Sequence, residues 1–293
     1  MTYEEMVERA KRMRSRDIFG AVPQEEIDAV GAIQRELQLP VCDGRTVRVF
    51  QLEPKDGREV NCPLILNFHG GGFIKGRQTK DQLFCSQLAV EFGCLVWDVD
   101  YSLAPENPYP AAVEESYAVT AYAFSHAAEY GVDAKRIILL GHSAGGNLVA
   151  TVCLRAGETK AFRPAAVVME FCPMDLATDP ATKPRAEGDM PAEVARTYNA
   201  FYCPAELADA PYVSPGFATQ EQLAGFPDTL IMSAEKDSLC FEDEEFAMKL
   251  ARAGVAVTCK RFRNSLHGFT INRNGAWEES QAMLKRFVRG YIG

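Results

Sequence analysis

One stretch limits what this chain can become more than any other: Arg136-Ile137-Ile138-Leu139-Leu140-Gly141-His142-Ser143-Ala144-Gly145-Gly146-Asn147-Leu148-Val149-Ala150. A short apolar run meets a serine flanked by glycines, and an apolar helical pattern follows, so the segment reads as strand, sharp turn and helix. Gly141 and Gly145 bracket Ser143 as G-x-S-x-G. Small residues suit that position because strand and helix approach closely there, and the tight turn pushes the serine hydroxyl outward. A bare G-x-S-x-G also occurs at ordinary strand-to-helix turns. The flanking strand and helix signals favour a nucleophile.

A second segment points the same way. Leu64-Ile65-Leu66-Asn67-Phe68 is a buried-strand run that leads into His69-Gly70-Gly71-Gly72-Phe73. Consecutive glycines leave backbone N–H groups accessible. Acyl transfer from a serine needs such donors aimed at the oxygen that becomes negative, and an H-G-G-G loop upstream of the serine supplies them. A flexible glycine-rich turn is the plainer alternative, and the order of the two motifs argues against it.

Together the motifs resemble the hormone-sensitive-lipase-like (fold-3) esterases of the α/β-hydrolase superfamily. The resemblance rests on His69-Gly70-Gly71-Gly72, on Asp100-Tyr101-Ser102-Leu103-Ala104-Pro105-Glu106 with Tyr109-Pro110-Ala111-Ala112, and on Gly141-His142-Ser143-Ala144-Gly145-Gly146-Asn147. It covers most of the chain after about residue 45. It implies an α/β-hydrolase fold, a helical cap, and no metal or organic cofactor. Two departures are visible: Ser102 stands where the family usually has arginine, and His142 where it usually has aspartate or threonine. Neither removes a catalytic group.

The chain has 293 residues, 47% of them hydrophobic. That suffices for a large core, and we expect one domain over residues 1–293. With 31 basic and 40 acidic residues the net charge is −9, which disfavours nucleic acid or an anionic membrane as a general partner. A small-molecule ester is the expected ligand, and a homodimer is compatible with the sequence. Nine cysteines are scattered without a C-x-x-C pair, so neither a disulfide framework nor a metal site is indicated. The segment after Met1 lacks an apolar signal core, and no stretch approaches the roughly 18 apolar residues that span a bilayer. A cytoplasmic location is the expectation.

Along the chain, residues 3–16 and Pro23–Leu39 carry helical spacing, the latter through Ile27, Val30, Ile33 and Leu37. The basic residues Arg9, Lys11, Arg12, Arg14 and Arg16 sit beside Glu4, Glu5 and Glu8 and read as a solvated helix face. Thr46–Leu52 alternates as a half-buried strand. Strands at Leu64–Phe68, Cys94–Val99, Ala166–Phe171, Thr229–Ala234 and Val255–Phe262, with helices at Lys80–Phe92 and Ala111–Tyr130, predict a mostly parallel sheet with helices on both faces. From Pro173 to Pro215 the pattern lapses, enclosing one helix at Pro191–Tyr202. That segment reads as a lid insertion, and residues 1–40 and 173–215 are expected to form the cap.

Asp237 lies just past one expected strand and His267 just past the next, where open α/β sheets collect catalytic groups. The order Ser143, Asp237, His267 is that of the superfamily. Of four histidines, His126 falls within a helix, His69 belongs to the glycine loop and His142 abuts the serine. Leu266-His267-Gly268-Phe269 and Glu235-Lys236-Asp237-Ser238-Leu239 also match the family's surroundings. Asp175, after the preceding strand, remains an alternative acid. Gly71, Gly72 and Ala144 are the expected oxyanion donors. The leading functional reading is a serine carboxylesterase for short acyl esters, with the lid aromatics Tyr198, Phe201 and Tyr202 around the substrate. An amidase, formamidase or peptidase with the same triad is the second, and a non-catalytic receptor the third. Some plant hormone receptors resemble this family but lack the histidine, and His267 is present.

Overall fold

The computed structural model describes residues 1–15, 20–41, 44–188 and 190–293, so Arg16 and Cys42 lie outside the described residues. In chain order the elements are α1 (Tyr3–Arg14), α2 (Gln24–Asp28), β1 (Ala32–Pro40), β2 (Thr46–Pro54), β3 (Cys62–Phe68), α3 (Thr79–Phe92), β4 (Leu95–Asp100) and α4 (Ala111–Ser125). They continue with β5 (Val132–His142), α5 (Ala144–Thr159), β6 (Ala166–Glu170), α6 (Ala192–Tyr202), α7 (Gln220–Leu223), β7 (Asp228–Ala234), α8 (Leu239–Arg252), β8 (Val257–Phe262), α9 (Phe269–Asn272) and α10 (Trp277–Ile292).

Eight strands form one sheet in the order β1-β2-β4-β3-β5-β6-β7-β8. Pairings from β4 through β8 are parallel, while β2 is antiparallel to both β1 and β4. Strand β3 is buried along its whole length, and its side chains alternate between two cores. Leu64, Leu66 and Phe68 join Trp97 and Leu139 on one face, and Ile65 joins Ile138, Leu140 and Phe84 on the other. A strand buried on both faces needs a continuous apolar run rather than alternation. That is what Cys62–Phe68 and Ile137–Leu140 supply, and it forces helices onto both sides, as in the α/β-hydrolase fold the sequence implied.

One element differs from its expectation. Pro23–Leu39 is not a helix: only Gln24–Asp28 is helical, Gly31 takes a left-handed φ of 82°, and residues 32–40 form the edge strand β1. The helical spacing of Ile27, Val30, Ile33 and Leu37 was outweighed by the hairpin that residues 32–40 form with β2. The open edge of β2 offers β1 a full antiparallel ladder from Ala32↔Pro54 to Pro40↔Thr46. Residues 32–40 thus belong to the sheet rather than to a helical cap. Helices α8 and α10 were not anticipated; α10 buries Leu284, Val288 and Ile292, one turn apart, against the second core.

The tightest packing lies where β3, β5 and α5 meet. A Cβ on Gly145 would lie 1.8 Å from the carbonyl oxygen of Phe68, and one on Gly141 would lie 2.3 Å from that of Gly145. Both clashes are with backbone, which cannot swing aside. Gly145→Ala is therefore expected to cost about 3 kcal/mol or more. Gly290→Ala, in open space on α10, should stabilise by about 0.5–1 kcal/mol. Urea unfolding of the two variants checks the contrast, and equal midpoints would contradict the close-packing account.

Candidate active site

Ser143 sits between β5 and α5 with φ +53° and ψ −124°, a backbone conformation rarely adopted by a residue with a side chain. Its N–H donates to the carbonyl of Glu170 at 2.8 Å, which fixes the turn against β6. The strain turns the side chain toward His267, whose Nε2 lies 3.0 Å from Ser143 Oγ. His267 Nδ1 lies 2.6 Å from Asp237 Oδ2, and the Leu239 N–H donates to the other Asp237 oxygen at 3.1 Å. The network assigns the Nδ1–H tautomer, leaving Nε2 to accept from the serine. Burial opposes charge on His267, but the Asp237 carboxylate outweighs it and raises the imidazole pKa above its ordinary 6.5.

The two candidate acids have different fates. Asp237 faces His267. Asp175 instead closes its own turn, accepting from the Ala177 and Thr178 N–H groups at 2.9 Å each, with Lys183 beside it. Both follow a strand; the family-like surroundings of Asp237 favoured it in the sequence, and it is Asp237 that stands at His267.

The glycine loop folds over the same spot. Gly71 and Gly72 have φ values of 128° and 62°, accessible to glycine at little cost. Among the described residues no acceptor takes a hydrogen bond from the N–H of Gly71, Gly72 or Ala144. Ala144 is the first residue of α5, so its N–H also carries the positive end of the helix dipole.

Beneath the loop lies a buried polar cluster that the sequence did not reveal. His142 Nε2 lies 3.0 Å from Asp81 Oδ1 in the first turn of α3, and the other Asp81 oxygen accepts the Gln78 N–H at 2.7 Å. A Cβ on Gly70 would lie 3.0 Å from His142 Cδ2. His142 therefore bridges the serine strand, the glycine loop and the helix that anchors the loop's far end. Glu170 is buried close by, and burial raises its carboxyl pKa to about 7, with His142 and Thr270 opposing. His69, the loop's own histidine, stacks on Tyr101 at 4.3 Å. Asp243 holds the Cys172 N–H at 3.0 Å, and burial pushes its carboxyl pKa well up.

The segment 173–215 is stapled at both ends by one side chain of α5: Asn147 Nδ2 donates to Pro173 O and Val213 O at 2.9 Å each. Helix α1 joins it, since Arg9 donates to Thr197 Oγ1 of α6 at 2.8 Å. Arg14 grips the body through Glu106, Ile74 O and Ala104 O at 2.6–2.9 Å. The expectation of a wholly solvated basic face is thus corrected for Arg9 and Arg14, which tie elements together. Two cavities of about 530 and 710 Å³ lie away from Ser143. The arginines lining the first, Arg14, Arg48 and Arg77, are paired with Glu106, Asp100 and Asp98. Among the described residues no cluster has the make-up of a metal site, and no helix is long and apolar enough to cross a membrane.

Comparison with known proteins agrees with this architecture. The sequence pattern of the α/β-hydrolase fold family matches residues 65–271, and the chain belongs to that family. Esterase LipI of Mycobacterium tuberculosis is 32% identical over 216 residues, covering 72% of this chain and 67% of that one. Hormone-sensitive lipase of Ictidomys tridecemlineatus is 40% identical over 110 residues, 37% of this chain and 14% of that one. These matches support the branch that the motifs resemble. The crystal structure of carboxyl esterase 2 from Tuber melanosporum superposes with a TM-score of 0.83 at 27% identity, covering 98% of both chains.

Glu170 generates a pH prediction. Unfolded, it loses its proton near 4.5; folded, it keeps it to about 7. The folded state binds that proton more tightly, so stability falls as pH rises from about 4.5 to 7, by roughly 3 kcal/mol in all. Glu170→Gln should remove this slope and leave the variant more stable than the parent at pH 8. Urea midpoints at pH 5 and 8 test it, and parallel slopes would refute it.

Proposed function

We propose that this protein hydrolyses esters of short acyl groups through Ser143, with His267 as general base, Asp237 orienting it, and Gly71, Gly72 and Ala144 as oxyanion donors. Membership of the α/β-hydrolase superfamily and its esterase relatives make the chain a carboxylic ester hydrolase. The observation carrying the finer reading is the continuous path Ser143–His267–Asp237 at 3.0 and 2.6 Å. His267 Nε2 takes the Ser143 proton as Oγ attacks the ester carbonyl, and Asp237 stabilises the imidazolium that forms. The unpaired N–H groups take up the negative oxygen, each contributing about 3 kcal/mol. His267 then protonates the departing alcohol. A water molecule, deprotonated by the same nitrogen, cleaves the acyl-enzyme and releases the acid.

Ester rather than amide chemistry is favoured by the relatives' names, and the intact histidine counts against a non-catalytic receptor. For the cap, we propose that α1 and the 173–215 segment close over Ser143, held by Arg9 and Arg14. An enclosed apolar subsite gains roughly 0.8 kcal/mol per buried CH₂ until the chain meets a wall.

Ser143→Ala and His267→Ala should each lower ester turnover by several orders of magnitude in a folded protein, and more than a few per cent residual activity would displace the assignment. Asp237→Asn should cost on the order of 10⁴, and Asp175→Asn far less. The acid limb of kcat/KM, where His267 loses its proton, should lie above pH 6.5, because Asp237 holds the imidazolium. A limb at or below that value would contradict the pairing.

Activity against an ester series should peak at about two to six acyl carbons. Arg9→Ala should flatten that preference by loosening α1 from α6. A profile rising through twelve or more carbons would mean an open groove instead.

A further inference from the structure

The serine and the glycine loop belong to different segments, so some contact must set the distance between them. The loop, residues 69–78, is tied to the body at several points. The Tyr101 hydroxyl donates to His69 O at 2.7 Å, and the Ala104 N–H donates to Phe73 O at 2.9 Å. Phe73 stacks on Tyr202 with ring centres 3.6 Å apart; Tyr202 and Phe201, expected around the substrate, are both buried in the core. Arg14 Nε donates to Ile74 O at 2.8 Å, and Arg77 pairs with Asp98 of β4. These ties run to β4, to the segment after it, to α1 and to α6. None of them reaches the serine strand β5.

His142, the last residue of β5, makes that connection twice. Gly70 lies against it and its neighbour: a Cβ on Gly70 would fall 3.0 Å from His142 Cδ2, 3.1 Å from His142 O and 3.2 Å from Ser143 Cβ. The imidazole also reaches α3, which the loop enters, through the 3.0 Å contact of Nε2 with Asp81 Oδ1. The carboxylate assigns the proton to Nε2, so the imidazole donates. Asp81 in turn closes the capping box of α3, its other oxygen accepting the Gln78 N–H at 2.7 Å. One side chain thus holds both ends of the loop, Gly70 at its ring edge and Gln78 through Asp81. Asp81 and His142 are only 3% and 4% exposed. Burial opposes charge on Asp81, and the hydrogen bond from His142 outweighs it, keeping the carboxyl below its ordinary range. A buried ionisable pair adds little stability over an apolar pair of the same size, but a hydrogen bond fixes a distance and a direction that apolar contact does not.

We infer that His142 and Asp81 are positioning residues: their hydrogen bond fixes the glycine loop against the serine strand and so sets the spacing between Ser143 Oγ and the N–H groups of Gly71 and Gly72. This rests on the ester-hydrolase reading above and adds two residues to its machinery. Donors stabilise the oxyanion only from about 3 Å, and a misplacement of about 1 Å costs on the order of 10² in rate. The neutral ester depends on those donors much less, so the pair acts on turnover rather than on binding.

A trifluoromethyl ketone reads the oxyanion directly: Ser143 Oγ adds to its carbonyl, His267 takes the hydroxyl proton, and the ketone oxygen becomes the negative oxygen. The matching secondary alcohol binds without that step. His142→Leu, which keeps bulk but no donor, should lower kcat for p-nitrophenyl acetate and weaken the ketone about ten- to hundredfold, with alcohol binding changed by about twofold or less. His142→Gln, whose amide can still donate to Asp81, should recover most of both. A merely structural role would lower the urea midpoints of the variants and leave the ketone-to-alcohol affinity ratio of the folded enzyme at the parent value. That unchanged ratio in folded His142→Leu, or no recovery in His142→Gln, overturns the inference. If His142→Leu does not fold, Asp81→Asn replaces it. Asparagine has one acceptor for two donors and must release either His142 or Gln78, so the ratio should fall at least about threefold, and an unchanged ratio again overturns the inference. Ester turnover that survives Ser143→Ala overturns the hydrolase reading and this inference with it; where Ser143→Ala abolishes turnover, the other outcomes concern His142 and Asp81 alone.

Discussion

The site depends on a turn with no room for side chains. Gly145 approaches the Phe68 carbonyl so closely that any Cβ would overlap it, and Gly141 is pressed against Gly145 in the same way. That contact brings the end of β3, and with it the glycine loop, onto the start of α5. Ser143 is caught between them in a strained conformation, its N–H held by Glu170 O. The strain persists because β3, β5 and β6 over-determine it: each is hydrogen-bonded into the sheet and buried in both cores. Ser143 and the glycine loop thus come from segments some seventy residues apart in the sequence and are brought together by one backbone contact.

What could be read from sequence follows the range of the forces involved. The elbow and glycine loop were legible because their constraints are local: glycines where backbone must come close, and apolar runs where strands are buried on both faces. The mostly parallel sheet followed from those runs. Strand β1 was not legible, because Ile27, Val30, Ile33 and Leu37 fit a helix and it is the pairing with β2 across the hairpin, which that spacing does not encode, that made residues 32–40 a strand. The acid was only half legible. Asp237 and Asp175 each follow a strand, and what separates them is that Asp175 spends its carboxylate on its own turn. His142 with Asp81 had no local signal, being 61 residues apart in sequence.

The N-terminal helix illustrates why charge patterns mislead at short range. Its basic residues look solvated because glutamates accompany them, and Lys11 does pair with Glu8 within the helix. Arg9 and Arg14 reach groups from sixty to nearly two hundred residues away. A surface ion pair contributes little to stability. Arg14 makes a different kind of contact, with two carboxylate oxygens and two backbone carbonyls converging on one planar guanidinium. It fixes where α1 lies, and through Arg9 α1 fixes α6, which carries Tyr198.

Burial also decides which carboxylates near the serine are charged. Glu170, whose backbone carbonyl holds the Ser143 N–H, and Asp243, which holds the Cys172 N–H, are both fully buried. Their surroundings push both toward the neutral form, Glu170 to a pKa of about 7 and Asp243 well above its usual range. Asp237 instead accepts the Leu239 N–H and faces His267 Nδ1. The Asp237 carboxylate stands directly behind the imidazole, where it raises the pKa of His267 above its ordinary value.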